Sequence, residues 1–118
     1  MKIEYIIGLR LEGFRMSKGS YSFEFNGKKN DIYKNYHVST TSYLSFSKNL
    51  KDDIEGVSKN IWDILEEDLI DLHMEEEDRK ITFIFGNNKF FTVWADEELI
   101  EELLIIKDTD TGDWGTFF

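Results

Sequence analysis

The feature that most constrains this chain is a two-residue hydrophobic alternation that recurs between turn signals along most of its length. Tyr21, Phe23 and Phe25 alternate with Ser22 and Glu24, and Ile70, Leu72 and Met74 alternate with Asp71, His73 and Glu75. Ile81, Phe83 and Phe85 repeat the pattern. Successive side chains of an extended chain point to opposite faces, so a period of two marks half-buried strands. The runs are separated by Ser17-Lys18-Gly19-Ser20, Asn26-Gly27, Glu76-Glu77-Asp78 and Gly86-Asn87-Asn88, residue types that reverse the chain. Leu9, Leu11, Phe14 and Met16 alternate more loosely and predict a hairpin with the 21–25 run. Residues 28–35 are basic and polar and read as a loop, whereas 37–47, rich in β-branched and aromatic residues, read as a third strand. Further strands are expected at 90–94 and at the apolar run 103–106, with a turn at 108–113 before the C-terminal residues 114–118.

One segment carries a helical period instead. Ile54, Val57, Ile61, Ile64 and Leu65 fall on one face of a helix expected over 53–68, with Asp52 as N-cap and Glu55 three positions on. Trp62 is expected to cover the edge of that stripe. Asp96 to Glu102 could form a short helical turn or an acidic loop. No repeat, linker or low-complexity tract divides residues 1–118, a length suited to one domain. The expected fold is therefore α+β: a mostly antiparallel sheet of about six to seven strands with one main α-helix packed on it.

The chain has no cysteine, which removes disulfides, thiolate metal sites and cysteine nucleophiles and suits a reducing compartment. No apolar stretch approaches the ~18 residues of a membrane span, and the opening residues do not read as a signal peptide. The cytoplasm is the expected location. The net charge is −10, and it is unevenly spread. Residues 1–51 hold nine Lys/Arg against four Asp/Glu, whereas residues 52–118 hold five against twenty. Nucleic-acid binding needs clustered cations to neutralise phosphate, so neither nucleic acid nor anionic membrane is an expected partner.

Candidate chemistry is sparse. Asp108-Thr109-Asp110-Thr111-Gly112-Asp113 departs from a calcium loop, with Gly fifth rather than sixth and no twelfth-position Glu, and reads as a hairpin turn. His37 and His73 belong to no catalytic signature and read as surface histidines. Twenty-four acids make any one carboxylate pair uninformative. No catalytic, cofactor-binding or metal-binding residue is assigned, and the chain is not expected to be an enzyme. What remains is the acidic surface. The runs Glu75-Glu76-Glu77-Asp78 and Asp96-Glu97-Glu98 with Glu101-Glu102 are the candidate partner-binding residues, because a surface of one sign speeds and selects an opposite partner. Trp62, Trp94 and Trp114 are of the type that anchors interfaces, although the core is the expected place of most such aromatics.

The stretches Ile81-Thr82-Phe83-Ile84-Phe85-Gly86-Asn87, Phe91-Thr92-Val93-Trp94-Ala95-Asp96, Leu104-Ile105-Ile106-Lys107-Asp108 and Gly112-Asp113-Trp114, with Tyr43 to Ser47, resemble small bacterial immunity proteins of toxin–immunity systems, including contact-dependent growth inhibition. The likeness spans about two-thirds of the chain and rests on strands and turns, so it transfers no site residue. It implies a non-enzymatic protein that binds a cognate toxin domain, often a nuclease, and blocks it. A nuclease presents basic surface to its substrate, which the acidic half would complement.

Overall fold

The alternation becomes strands. In the computed structural model, which describes residues 1–46, 54–75, 77–95 and 103–117, nine strands form two antiparallel sheets. The first sheet contains β1 (Arg10–Ser17), β2 (Ser20–Lys29), β3 (Ile32–Thr40), β8 (Leu104–Asp108) and β9 (Trp114–Phe117), in the order β1-β2-β3-β8-β9. The second contains β4 (Tyr43–Ser45), β5 (Leu69–Glu75), β6 (Lys80–Phe85) and β7 (Phe90–Trp94), in the order β4-β7-β6-β5. A 3-10 turn at Ile3–Ile6 precedes β1, and the single α-helix among the described residues, α1, covers only Ile54–Ile61.

The two sheets face each other across a phenylalanine layer. Phe23 and Phe25 of β2 meet Phe83 and Phe85 of β6 and Phe91 of β7, all at most 1% exposed, with Phe83 and Phe91 rings 4.6 Å apart. Fully burying a side chain of this kind stabilises the fold by roughly 1.5–3 kcal/mol, so the layer contributes strongly to cohesion. The sheets are also joined along one side by backbone bonds. Gly8 N–H donates to Leu69 O (2.7 Å) and Leu69 N–H to Leu9 O (2.8 Å). Leu11 N–H donates to Glu67 O (3.0 Å) and Glu66 N–H to Leu11 O (2.8 Å).

The expected α+β fold, with one main helix on a sheet, is therefore corrected to a two-sheet, mostly antiparallel β fold with one short helix. The stripe that predicted a helix over 53–68 continues past Ile61 in spacing but not in structure. Residues 62–66 turn, Glu66 takes φ +71, and the chain leaves to pair with residues 8–11. Edge pairing of the backbone overrides the local helical period. Val57, Ile61 and Ile64 still reach the core, Ile64 from within the turn. Trp62, expected over the stripe, is 74% exposed instead. The proposed N-cap Asp52 lies outside the described residues.

The strands also differ from expectation in length and in number. Residues 28–35, expected as a loop, extend β2 and β3 into a long hairpin whose turn is only Asn30-Asp31, both at positive φ (52° and 65°). Hydrogen-bonded ladders need no apolar side chains, so polarity concealed this strand pair. Asn26-Gly27, expected to turn, lies inside β2, where Gly27 (φ +152°) lets Leu9 pack close against the strand. The run 37–47 is cut at Thr41-Ser42, and its two parts join different sheets. Thr40 fixes that corner: its hydroxyl donates to Leu103 O (2.6 Å) and accepts from Ser42 N–H (3.0 Å). No helix among the described residues is long and apolar enough to cross a membrane.

Candidate functional site

The same period that buries one face of the second sheet presents its other face outward, and there the side chains fall into three rows. Strand register places Tyr43, Trp94, Lys80 and Glu75 in the first row, across β4, β7, β6 and β5. Ser45, Thr92, Thr82 and His73 form the second, and Phe90, Ile84 and Asp71 the third. The face thus grades from aromatic and charged, through hydroxyl, to apolar. It forms a shallow groove of about 650 Å³.

Each row has its own internal contacts. The Lys80 ammonium sits 4.1 Å from the centre of the Trp94 ring, a cation held against an aromatic face. Trp94 Nε1 is buried and has no hydrogen-bond acceptor among the described residues. Thr82 Oγ1 and Thr92 Oγ1 share a hydrogen bond at 3.0 Å, and Thr92 is only 5% exposed. His73 Nε2 lies 3.7 Å from Glu75 Oε1 at the open edge of β5. At the apolar end Lys89 donates to Asp63 O (2.7 Å) and pairs with Glu67 (3.3 Å), tying the β6–β7 turn to the segment after α1.

The acidic residues singled out in the sequence divide between this face and undescribed chain. Glu75 ends β5 opposite Lys80, and Glu77 and Asp78 are exposed in the following turn, so one end of the face carries all three. Glu76 and the whole run of Asp96, Glu97, Glu98, Glu101 and Glu102 lie outside the described residues. A further acidic stretch, Glu66-Glu67-Asp68, is occupied structurally: Glu67 pairs with Lys89, and Asp68 lies 3.7 Å from Arg10 Nε. The 108–113 segment is a turn built by Asp108, whose Oδ1 accepts from the Asp110 and Thr111 amides at 2.9 and 3.2 Å. His37, on the outer face of the first sheet, lies 3.3 Å from Glu24.

The residues that sequence reasoning passed over are Tyr43, Lys80, Thr82 and Thr92. Their signal was present in the alternation itself, since Lys80, Thr82 and Ile84 interleave with Ile81, Phe83 and Phe85. Of the three tryptophans, Trp62 and Trp114 are exposed at 74% and 63%, and Trp94 is part-buried on the outer face. No family model, no curated protein and no solved structure matches this chain.

Proposed function

We propose that this chain is an immunity protein that neutralises a cognate bacterial toxin domain, of the nuclease kind, by binding it directly through an acidic surface. The observation that carries the reading is the concentration of acid in the second half of the chain, twenty Asp/Glu against five Lys/Arg. The exposed Glu75, Glu77 and Asp78 lie at the same end of the outer face as an aromatic pair, Tyr43 and Trp94, with Lys80 between, in keeping with an interface built from aromatic anchors and a charged rim. A basic toxin surface would be steered to such a face and held in one orientation by it.

The test is protection. A toxin domain encoded directly upstream should arrest growth when expressed alone and should cease to do so when this chain is co-expressed. The two should then co-purify. Arrest that persists despite abundant folded chain excludes the reading. A second reading, a small enzyme, draws on His73, which has Glu75 at 3.7 Å and Thr82 across from it on β6. Replacing both His37 and His73 by Gln should leave protection intact; a folded double variant that no longer protects would favour the enzyme.

A further inference from the structure

Of the outermost strands of the two sheets, β5 is the one whose edge stays open. Proteins guard an edge against further pairing with short strands, bulges, Pro and Lys. β4 has three residues, and β9 has four and lies against Met1 at Gly115. β1 is bulged at Leu11–Gly13 and bonded through Leu11 to Glu66 and Glu67. β5 runs for seven residues without Pro or Lys, and among the described residues its outer edge is bonded across to another strand only at Leu69. β4 and β7, which lead into the undescribed residues 47–53 and 96–102, lie on the other side of that sheet.

The ladder fixes which groups that edge offers. Phe85 N–H bonds to Lys89 O, toward β7, so by alternation Ile84, Thr82 and Lys80 bond toward β5. Their partners Asp71, His73 and Glu75 point inward, which turns the N–H and C=O of Leu72 and Met74 away from β6. Leu69 also bonds outward, to Gly8 and Leu9, and the bulge after it makes the change of phase. Leu72 N–H donates to the Asp71 carboxylate beside it (2.9 Å), an exposed bond that caps the edge from the same strand.

The side chains state what fits there. Half-buried Leu72 and exposed Met74 lie beside Phe83 and Ile81 at the rim of the core, whereas Asp71, His73 and Glu75 lie on the outer face. A strand added to this edge therefore meets apolar neighbours on one face and two carboxylates on the other. A second β5 does not suit it. Paired about Leu72, it would set its Glu75 on Leu69, which is already bonded to Leu9. Paired about His73 or Met74, it would oppose Asp71 to Glu75 or to Glu77, and like charges directly opposite are destabilising.

We infer that β5 receives an extended strand of the protein partner, bonded through its backbone to Leu72 and Met74, with apolar side chains beside those two and Lys or Arg beside Asp71 and Glu75. The inference rests on the proposed function for the partner being a basic protein. The arriving cation draws the Asp71 carboxylate off the Leu72 amide. The edge thus opens to a basic strand and stays capped against others.

The edge can be tested without the toxin. The probe is the acetylated, amidated peptide Lys-Val-Thr-Val-Lys, titrated into the nitrogen-15-labelled protein; its pattern is the same in both directions, so either strand orientation is served. A second peptide is N-methylated at both Val, which keeps the side chains and removes the donors that face the edge. A third has Glu in place of both Lys. The Leu72 and Met74 amide signals should shift and saturate with the first peptide and stay in place with the other two. Asp71→Asn keeps an oxygen for the Leu72 amide and should weaken the Lys peptide about threefold. Met74→Pro removes an outward N–H and leaves the ladder to β6 intact, so the variant should fold and lose the peptide. If it does not fold, the N-methylated peptide makes the same test on the parent. Equal response to the N-methylated or the Glu peptide, shifts confined to other strands, or parental affinity in a folded Met74→Pro protein would each overturn the proposal. Shifts of the same amides on concentrating the protein alone would overturn it in favour of a second copy. A protein that protects against toxin yet ignores the Lys peptide removes the edge proposal alone, and one that binds the peptide but gives no protection removes the immunity reading alone.

Discussion

Phe83 lies between the two sheets, with its ring near those of Phe23, Phe25 and Phe91 and no exposure to solvent. Replacing it with Ala removes contacts to both sheets at once and leaves a cavity between two ladders that cannot collapse freely. Phe83→Ala should cost about 3–5 kcal/mol, measured by chemical denaturation. Trp62→Ala, at 74% exposure, should stay within about 0.5 kcal/mol of the parent, and a larger loss would mean that this ring is covered in solution. Tyr36 offers a pH handle. Burial, then the nearby Asp108, Tyr5 and Asp110, hold its phenol above the ordinary tyrosine range. A raised value in the folded state means stability is fully present below about pH 10 and falls as pH climbs through the folded value. Denaturation midpoints of the parent and Tyr36→Phe should therefore diverge only in alkali, with the Phe variant losing less.

At the scale of elements, the β2–β3 hairpin shows what side-chain pattern alone conceals. Gly27 lies inside β2 at φ +152°, and a Cβ there would stand 3.3 Å from Leu9 Cδ2. Gly27→Ala should destabilise by about 1–3 kcal/mol, checked by thermal melting, and an unchanged midpoint would mean that β2 relaxes around the new methyl group. Asn-Gly is a strong turn signal, yet here the turn is Asn30-Asp31, because register follows the buried faces: Phe23 and Phe25 must oppose Val38 and Tyr36. The strands that alternate strongly, β2, β5 and β6, were legible from residues alone, and so was the 108–113 turn. The length of α1 was not, because Glu66–Leu69 leave the helical path to bond with Gly8–Leu11, a partner 55 to 61 residues distant in the chain that no local window contains. The outward grid of Lys80, Thr82, Thr92 and Trp94 was half legible: period two identifies which residues share a face, but which strands lie side by side depends on the sheet order β4-β7-β6-β5.

Across the whole molecule, the charge division between the two halves of the chain is an expectation about how a partner arrives. Charges at an interface rim act on the association rate and are screened by salt within about a Debye length, near 8 Å at physiological ionic strength. Not all acids contribute equally. Glu67 and Asp68 already serve contacts within the fold, so reversing them should perturb stability more than binding. Glu75, Glu77 and Asp78 face solvent at the end of the outer face, where under the proposed function they would steer a basic partner. The most direct measurement is the association rate with the cognate toxin domain across a salt series, for the parent and for folded variants with Glu75, Glu76, Glu77 and Asp78, or Glu97, Glu98, Glu101 and Glu102, reversed to Lys. The account predicts that the parent associates fast at low salt and slows steeply as salt rises, and that reversal of the 75–78 turn lowers the rate at least tenfold at low salt while flattening its salt dependence. Rates and salt slopes that stay the same in both reversed variants would contradict it, leaving the acid as a device for solubility alone.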